Sequence, residues 1–321
     1  MKNILITGGA GFIGLNLSKR LLEKGHKIFV IDNFKRAIKD DDFKKIRKNK
    51  NFTIISADLT KEINQNIAFS HIFHLAATVG VSNVNKSPYE TLHNNLVPLF
   101  NVINYVKKKK FKSKIIFFSS SEVYTSLIEN KKIKFPLTED NQIMIPNKLI
   151  KRDSYFLSKF FGEKIVEMSG LDYVNLRPHN IYGPRMGKSH VIPELIEKIN
   201  LNHKFVKIFS PNHQRAFCYI DDAVDITIKV ILSNKCKNED FNIGNNKEPI
   251  SIKELAHIIK KLSHSDSKIR SIPFSKADRS KRIEVFYRRP NTNKLTKYLN
   301  YSPNITLRNG IQKIYDSKKN K

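Results

Sequence analysis

Residues 7–14 read Thr7-Gly8-Gly9-Ala10-Gly11-Phe12-Ile13-Gly14, with the key glycines at 8, 11 and 14. The stretch follows a short apolar run, Ile4 to Thr7, and opens a helical stretch from Phe12 to Lys24 that stops at Gly25. Strand, glycine turn and helix in that order form a dinucleotide fingerprint. Gly8 permits the tight turn, Gly11 lets the backbone approach a pyrophosphate, and Gly14 allows helix to pack closely on strand. The helix N-terminus, at Phe12 and Ile13, stabilises the anion. Glycines alone would fit an ordinary strand–helix turn, so the downstream acid decides. That acid is Asp32, ending the second strand with Asn33 beside it, and it suits the hydroxyls of an adenosine ribose. A carboxylate there repels a 2′-phosphate, so NAD is expected. Lys35 and Arg36 leave NADP as the lesser alternative. Asp58 and Leu59, after a third strand, can reach the adenine, although Asp58 alone reads as a helix cap.

Working outward, β-rich runs at Phe52 to Ala57, His71 to Leu75, Ile115 to Ser119 and Tyr173 to Leu176 alternate with helical stretches. The helices are Pro88 to Lys107, which Pro98 is expected to kink, and Asp153 to Met168, with Asp153 as N-cap. Such alternation implies a parallel sheet with helices on both faces. The expected fold is α/β, a Rossmann-type doubly wound sheet with a smaller α/β C-terminal substrate domain. From Pro178 the elements shorten and the loops become rich in arginine and proline. The expected NAD-binding domain is 1–176 with 217–246; the expected substrate domain is 177–216 with 247–321. The second covers the C-terminal edge of the sheet, where open α/β sheets bind ligands.

The chain has 321 residues, a hydrophobic share of 40% that excludes a mainly disordered protein, and a formal charge of +29. No run approaches the roughly 18 apolar residues of a membrane helix. The opening MKNILITGGAG carries no leader, so a cytoplasmic protein without membrane contact is expected. Cys218 and Cys236 are the only cysteines, which excludes a disulfide framework. Cys218 reads as packing, the ten histidines are dispersed without metal-ligand spacing, and no metal is expected. Asp221-Asp222 reads as the cap of a helix from Ala223 to Leu232. The +29 suggests a polyanion at first sight. Lysine outnumbers arginine, and the one dense run, Lys107 to Lys110, suits the end of a helix. No segment alternating basic residues with stacking aromatics is found, so no nucleic-acid partner is expected.

Tyr155-Phe-Leu-Ser-Lys159 places Tyr and Lys at i and i+4 on one helix face. A tyrosine acting as base near neutrality needs its pKa lowered by roughly three units, about 4 kcal/mol. A neighbouring ammonium and a positive nicotinamide supply stabilisation of that kind. A surface Tyr and Lys would share the spacing. The third element is Ser119-Ser120-Ser121-Glu122-Val123-Tyr124, which follows the fifth strand and so lies at the sheet edge that holds the glycine turn. A hydroxyl there can bond a substrate hydroxyl or the ketone made from it.

With these segments in hand, the chain resembles an extended short-chain dehydrogenase/reductase of the nucleotide-sugar epimerase/dehydratase group. The resemblance rests on TGGAGFIG (7–14), His74-Leu75-Ala76-Ala77, SSSEVY (119–124), YFLSK (155–159), RPHNIYGPRM (177–186), RAFCYIDD (215–222), FNIGN (241–245) and RRPNTNKL (288–295). They stand in the family order and span nearly the whole chain. The resemblance implies that Tyr155 is the general base, Lys159 its electrostatic partner on the nicotinamide ribose, and Ser120 the hydroxyl on the reacting group. It implies that Asn95 lies on the cofactor side and that Leu75, Ala76 and Ala77 line the adenosine pocket. Ser121, Glu122 and Asn180 fall on the substrate, Arg215 and Arg288 clamp its diphosphate, and Val191 to Leu195 walls the nucleoside base. A homodimer through the helices near 90–107 and 153–169 is likewise implied. The chain departs from the pattern at Leu96-Val-Pro-Leu, Thr125, Ser210-Pro-Asn-His and Asn291.

By resemblance, members begin alike, with a 4-keto sugar made by oxidation at C4, and differ afterwards. The 4,6-dehydratases carry Thr-Asp-Glu where this chain has Ser120-Ser121-Glu122. Glu122 alone reads as a base or, preferably, as a residue that holds the loop. UDP-glucuronate decarboxylases carry a proline-rich stretch where this chain has Ala76-Ala-Thr-Val-Gly-Val81, yet Gly183-Pro-Arg-Met186 is similar to theirs. The expected activity is a UDP-sugar 4-epimerase. The alternatives are a UDP-glucuronate decarboxylase, a 4,6-dehydratase or C4 oxidase on the same site, and, remotely, a non-catalytic RNA-binding or scaffold relative. Loops 78–93, 125–150 and 185–215 are expected to select the sugar.

Overall fold

The computed structural model describes residues 1–129, 135–272 and 286–319. Residues 130–134, in one of the sugar-selecting loops, and 273–285, in the expected substrate domain, lie outside the described residues. The alternation expected from the sequence is present. In chain order it runs β1 (Asn3–Thr7), α1 (Phe12–Glu23), β2 (Lys27–Asp32), α2 (Asp41–Ile46), β3 (Phe52–Ser56), β4 (His71–His74), α3 (Val81–Lys86), α4 (Pro88–Lys108), β5 (Lys114–Phe118), α5 (Thr125–Glu129), α6 (Asp153–Met168) and β6 (Asp172–Pro178).

The sheet order is β3-β2-β1-β4-β5-β6, with a seventh strand, Glu239–Ile243, at the edge beside β6. All neighbours from β3 to β6 pair in parallel. Chain progression reverses between β1 and β4, and at this switch point open sheets bind their ligands. The central strands are apolar because both their faces are covered: Ile4, Leu5 and Ile6 of β1 and all of β4 are buried. One core cluster joins Leu5, Ile31, Phe69 and Ile72 to Val102, Tyr105 and Val106 of α4. Another joins Leu99 and Ile103 to Ile115, Phe117 and Val166.

Helix ends follow the local chemistry. At the end of α1, Gly25 takes φ +77° and donates to Leu22 O, while His26 N donates to Leu21 O, which is a Schellman stop. Pro98 does not interrupt α4: it lies buried within an unbroken helix, where its ring costs one backbone donor. Asp153 is the first residue of α6 rather than its cap, and its carboxylate accepts from Ile150 N at 2.7 Å. Gly162 of α6 lies on Phe117 of β5, where a methyl group would overlap the ring.

The chain divides into two compact units, 1–125 with 143–178 and 224–241, and 126–142 with 179–223 and 242–321. The division differs from the expected one at four places: residues 177–178 stay with the first unit as the end of β6, and three segments go to the second. Segment 126–142 joins the second unit because Leu137 N donates to Arg289 O and Asn242 Nδ2 to Leu137 O. Residues 218–219 do so by pairing in parallel with 181–182. Residues 242–245 do so through Asn242 bonded to His179 and Gly244 against Pro290. Asp222 is not a cap. The helix begins at Ile220, and the Asp222 carboxylate accepts from Tyr301 OH, Asn304 N and Ile305 N, fastening the C-terminal segment. In the same unit the strand Gln214–Ala216 runs between Pro249–Ser251 and Tyr287–Arg288.

Candidate active site

The glycine turn is built for backbone contact. Gly8 adopts φ +68°, and a Cβ on it would stand 2.9 Å from the backbone of Ala76. A Cβ on Gly14 would stand 2.6 Å from Gly9 Cα and 2.7 Å from Gly8 O, so its partner is the turn itself rather than the expected strand. Gly11 takes the N-cap of α1 with no side-chain cap, and no acidic residue follows in the first turn. That end of the helix, with Phe12 and Ile13 half-buried, is therefore left to an anion. Asp32 receives Ala10 N at 3.0 Å and Phe34 N at 2.8 Å, so it braces the turn while keeping lone pairs for hydroxyl donors. The exposed Asn33 receives Lys35 N. These residues fit a dinucleotide: a cradle that a single Cβ would fill, an uncapped helix end and a carboxylate at the second strand.

The other residues expected at the cofactor have these surroundings. Leu59 is a core residue, packed with Leu5 and Phe69. Asp58 is exposed and caps no helix; it receives the amide and hydroxyl of Thr60 in a local turn. Leu75, Ala76 and Ala77 are half-buried, and Ala76 N donates to Thr7 Oγ1. Asn95 is buried and acts as a brace, receiving Thr78 N at 2.6 Å and donating to Thr78 O and Ser158 Oγ.

The three residues expected to react, Ser120, Tyr155 and Lys159, lie within the first unit. Ser120 caps the turn Ser121–Tyr124, receiving Glu122 N at 3.2 Å, and its hydroxyl acts on the Tyr155 phenol. Lys159 is buried, donates to Phe118 O at 2.7 Å, and stands 6.0 Å from the Tyr155 ring centre. Burial pushes the Tyr155 phenol up to about 12; the Ser120 hydroxyl and Arg36 oppose this, and Glu122 adds to it. Burial pulls Lys159 down to about 8, opposed by Glu163. The lowering of Tyr155 expected from Lys159 is thus not supplied by the chain alone, because desolvation outweighs its neighbours. Ser121 is buried. Glu122 receives one guanidinium nitrogen of Arg152 at 3.2 Å on both oxygens, an arrangement that the spacing of the motifs did not reveal.

The expected diphosphate residues lie in the second unit. Arg215 and Arg288 sit opposite each other on paired parallel strands, so two guanidinium groups share one sheet register. Asn180 holds φ +44° and spends its amide on Ala216 O at 3.0 Å, next to Arg215. Val191 opens a helix, Val191–Asn200, and is half-buried. Cys218 is buried in a strand. One alternation of basic and aromatic residues had escaped the sequence reading: Lys204 to Phe209 exposes Phe205, Lys207 and Phe209, with Arg270 4.2 Å over the Phe205 ring. Among the described residues no helix is long and apolar enough to cross a membrane, and no cluster of three metal-ligating side chains occurs.

Comparison with known proteins gives the same picture. The family described as "NAD dependent epimerase/dehydratase" matches residues 4–244. The chain is 32% identical over 319 residues to UDP-N-acetyl-alpha-D-glucosaminuronate decarboxylase of Bacillus cytotoxicus, covering 97% of this chain and 96% of that one. It is 29% identical to UDP-glucuronate 4-epimerase of Thermodesulfobacterium geofontis, covering 98% and 96%. The crystal structure of UDP-glucuronic acid 4-epimerase from Bacillus cereus, with UDP-glucuronic acid and NAD, is similar at a TM-score of 0.82 and 26% identity, with 99% of each chain covered. The chain is therefore an enzyme of the NAD-dependent epimerase/dehydratase family, and its cofactor is NAD.

Proposed function

We propose that this enzyme oxidises C4 of a UDP-hexuronic acid and decarboxylates the 4-keto acid so formed. The relatives described above all carry a UDP-hexuronate in their names, which supports that substrate class. The chemistry supplied by bound NAD is a hydride acceptor at C4 and a positive ring that favours the Tyr155 phenolate. Gly8, Gly11, Gly14 and Asp32 hold it. Tyr155 takes the proton from the C4 hydroxyl, Ser120 aligns that hydroxyl, and the Lys159 ammonium stabilises the phenolate. Arg215 and Arg288 bind the diphosphate, to which a guanidinium fork is suited.

A ketone at C4 places the carboxylate on C5 β to a carbonyl. As CO2 leaves, the C5–C6 electrons pass to the C4 oxygen, where Tyr155, protonated again, donates. C5 then needs a proton from a second group, which recovers it from solvent. The O4 proton goes back to Tyr155, and return of the hydride to C4 with the Tyr155 proton to O4 leaves the UDP-pentose. Glu122 carries this proposal: it is the carboxyl group whose charge Tyr155 feels, and Arg152 holds it in place. A 4-epimerase has no such need, since its one proton travels on and off O4. Epimerisation of the same substrate, the activity expected from the sequence, is the second reading, and the Bacillus cereus structure favours it.

The test is incubation of purified protein with NAD+ and UDP-glucuronate, UDP-N-acetylglucosaminuronate or UDP-glucose, with products resolved by NMR. CO2 with a UDP-pentose product from a uronate supports decarboxylation, and Glu122→Gln then stalls the reaction after oxidation. A C4 epimer without CO2 moves the assignment to the epimerase. Turnover of UDP-glucose alone removes the uronate. A homodimer belongs to the same proposal: α4 and α6 expose Phe100 and Phe161, and sedimentation reports the mass.

A further inference from the structure

Lys159 and Glu163 are one turn apart on α6, and Arg177 lies in β6 next to that helix. The Arg177 guanidinium is fully committed. Nε and Nη2 each donate to Glu163 at 2.8 Å, Nη2 also to Asp240 at 2.7 Å, and Nη1 to Tyr124 OH at 2.8 Å. Glu163, Arg177 and Tyr124 are all buried. Tyr124 ends the turn that carries Ser120 and Glu122, and Glu163 belongs to the helix that carries Tyr155 and Lys159. One guanidinium therefore bonds both halves of the reacting constellation. Sequestering these charges is costly, and apolar side chains of the same volume would cross-link the elements at least as stably. The cluster's value lies in geometry and charge.

The surroundings of Lys159 show what that charge does. Its ammonium meets Phe118 O of β5 at 2.7 Å and the Phe117 ring at 5.1 Å. His74 of β4, neutral and pulled down to about 3 by burial, feels the same ammonium. Tyr155 stands on its own helix, with Ser120 and Glu122 beyond it. The Phe118 carbonyl and the Phe117 ring favour the charged form at contact, and Glu163, one turn along the same helix, is the carboxylate that favours it against burial. Arg177 in turn fixes the Glu163 carboxylate in direction through two bonds of 2.8 Å.

We propose that Glu163 is a positioning residue of this enzyme: clamped by Arg177, it maintains the Lys159 ammonium beneath Tyr155, while the Arg177–Tyr124 bond sets Ser120 at the same level. The proposal rests on Tyr155 and Lys159 being the reacting pair, and it holds for either fate of the 4-keto sugar.

The experiment is the pH profile of kcat and KM for the holoenzyme with NAD+ and the UDP-sugar it turns over. The variants are Glu163→Gln, Glu163→Asp, Tyr124→Phe and Tyr155→Phe. Glu163→Gln is expected to move the alkaline limb of kcat down by about one pH unit with KM unchanged, and Glu163→Asp to restore part of the shift. Tyr124→Phe, which keeps the ring and loses one bond, is expected to lower kcat about tenfold at unchanged KM. A folded Glu163→Gln protein with an unmoved limb overturns the proposal. If that variant does not fold, Tyr124→Phe decides: a wild-type kcat overturns the proposal, and a fall in kcat alone supports it. An active Tyr155→Phe protein would instead show that the assigned base is wrong, a failure distinct from an inactive Tyr155→Phe beside an unmoved limb.

Discussion

The glycine turn and the surroundings of Tyr155 lie in one unit and serve one reaction, yet they are specified by different physics. Gly8 and Gly14 are set by space: the added Cβ would stand 2.9 Å or less from backbone that cannot retreat. Tyr155 is set by neighbours: its phenol is raised by burial and Glu122 and lowered by Ser120 and Arg36, with Lys159 fastened separately to Phe118 O. A steric specification is local and shows in a few consecutive letters. An electrostatic one is assembled from four elements and appears only when they are folded together.

That contrast can be broken or sharpened by substitution. The largest effect is expected at Tyr155, where Phe keeps the shape and removes the proton carrier. Its kcat should fall by about 10²–10⁴-fold with NAD affinity intact, as steady-state kinetics beside NAD titration would show. Loss of NAD binding in the same variant would mean that the two regions are not separable. Gly14→Ala should behave the other way, costing about 1–3 kcal/mol in denaturant unfolding, because Gly9 and Gly8 O must shift. Its NAD Kd should rise by about tenfold or more. Asp32→Asn stands between the two. It leaves Ala10 N or Phe34 N with a poorer acceptor, should cost about 1–2 kcal/mol, and should narrow the preference for NAD over NADP in competition binding.

A further expected effect is one of acidity. His74 is held neutral, pulled down to about 3 by burial, with the Lys159 charge a lesser cause. Its unfolded form takes up a proton near pH 6.5, so its contribution is complete above that value and is lost progressively as the pH falls towards 3. Replacing His74 by Asn should flatten the acid side of a stability–pH curve by about 1–3 kcal/mol. His71, pulled down to about 4 chiefly by burial, would add a similar slope that remains in the variant.

The fold was readable in the sequence wherever one residue type has one use. The turn at 7–14, the stop at Gly25 and the buried β1 needed no partners to be recognised. The motif at 155–159 fixed a helix face, and the turn at 119–124 placed a serine at the sheet edge, as the structure has them. What stayed hidden were side chains whose partners are distant in the chain. Asp222 looks like a cap until Tyr301, Asn304 and Ile305 arrive some eighty residues later. Asn95 gives no sign in the sequence of its bonds to Thr78 and to Ser158, 63 residues away. Leu59 gives no sign in the sequence of its packing with Phe69 and Leu5. The bond between Arg152 and Glu122 spans 30 residues and has no signature in spacing.

Gly162 bears on how variants of this enzyme should be interpreted. It touches no expected ligand, and a search confined to ligand-contacting positions would pass it over. Yet its missing side chain is what lets the helix lie on Phe117, with Lys159 within reach of the next carbonyl. A methyl group at 162 would lift the turn of helix that carries the reacting pair away from the strand that anchors it. The tolerance of the site to mutation is therefore narrower than its list of reacting residues, and an inherited or engineered change three residues beyond Lys159 belongs with the loss-of-function class.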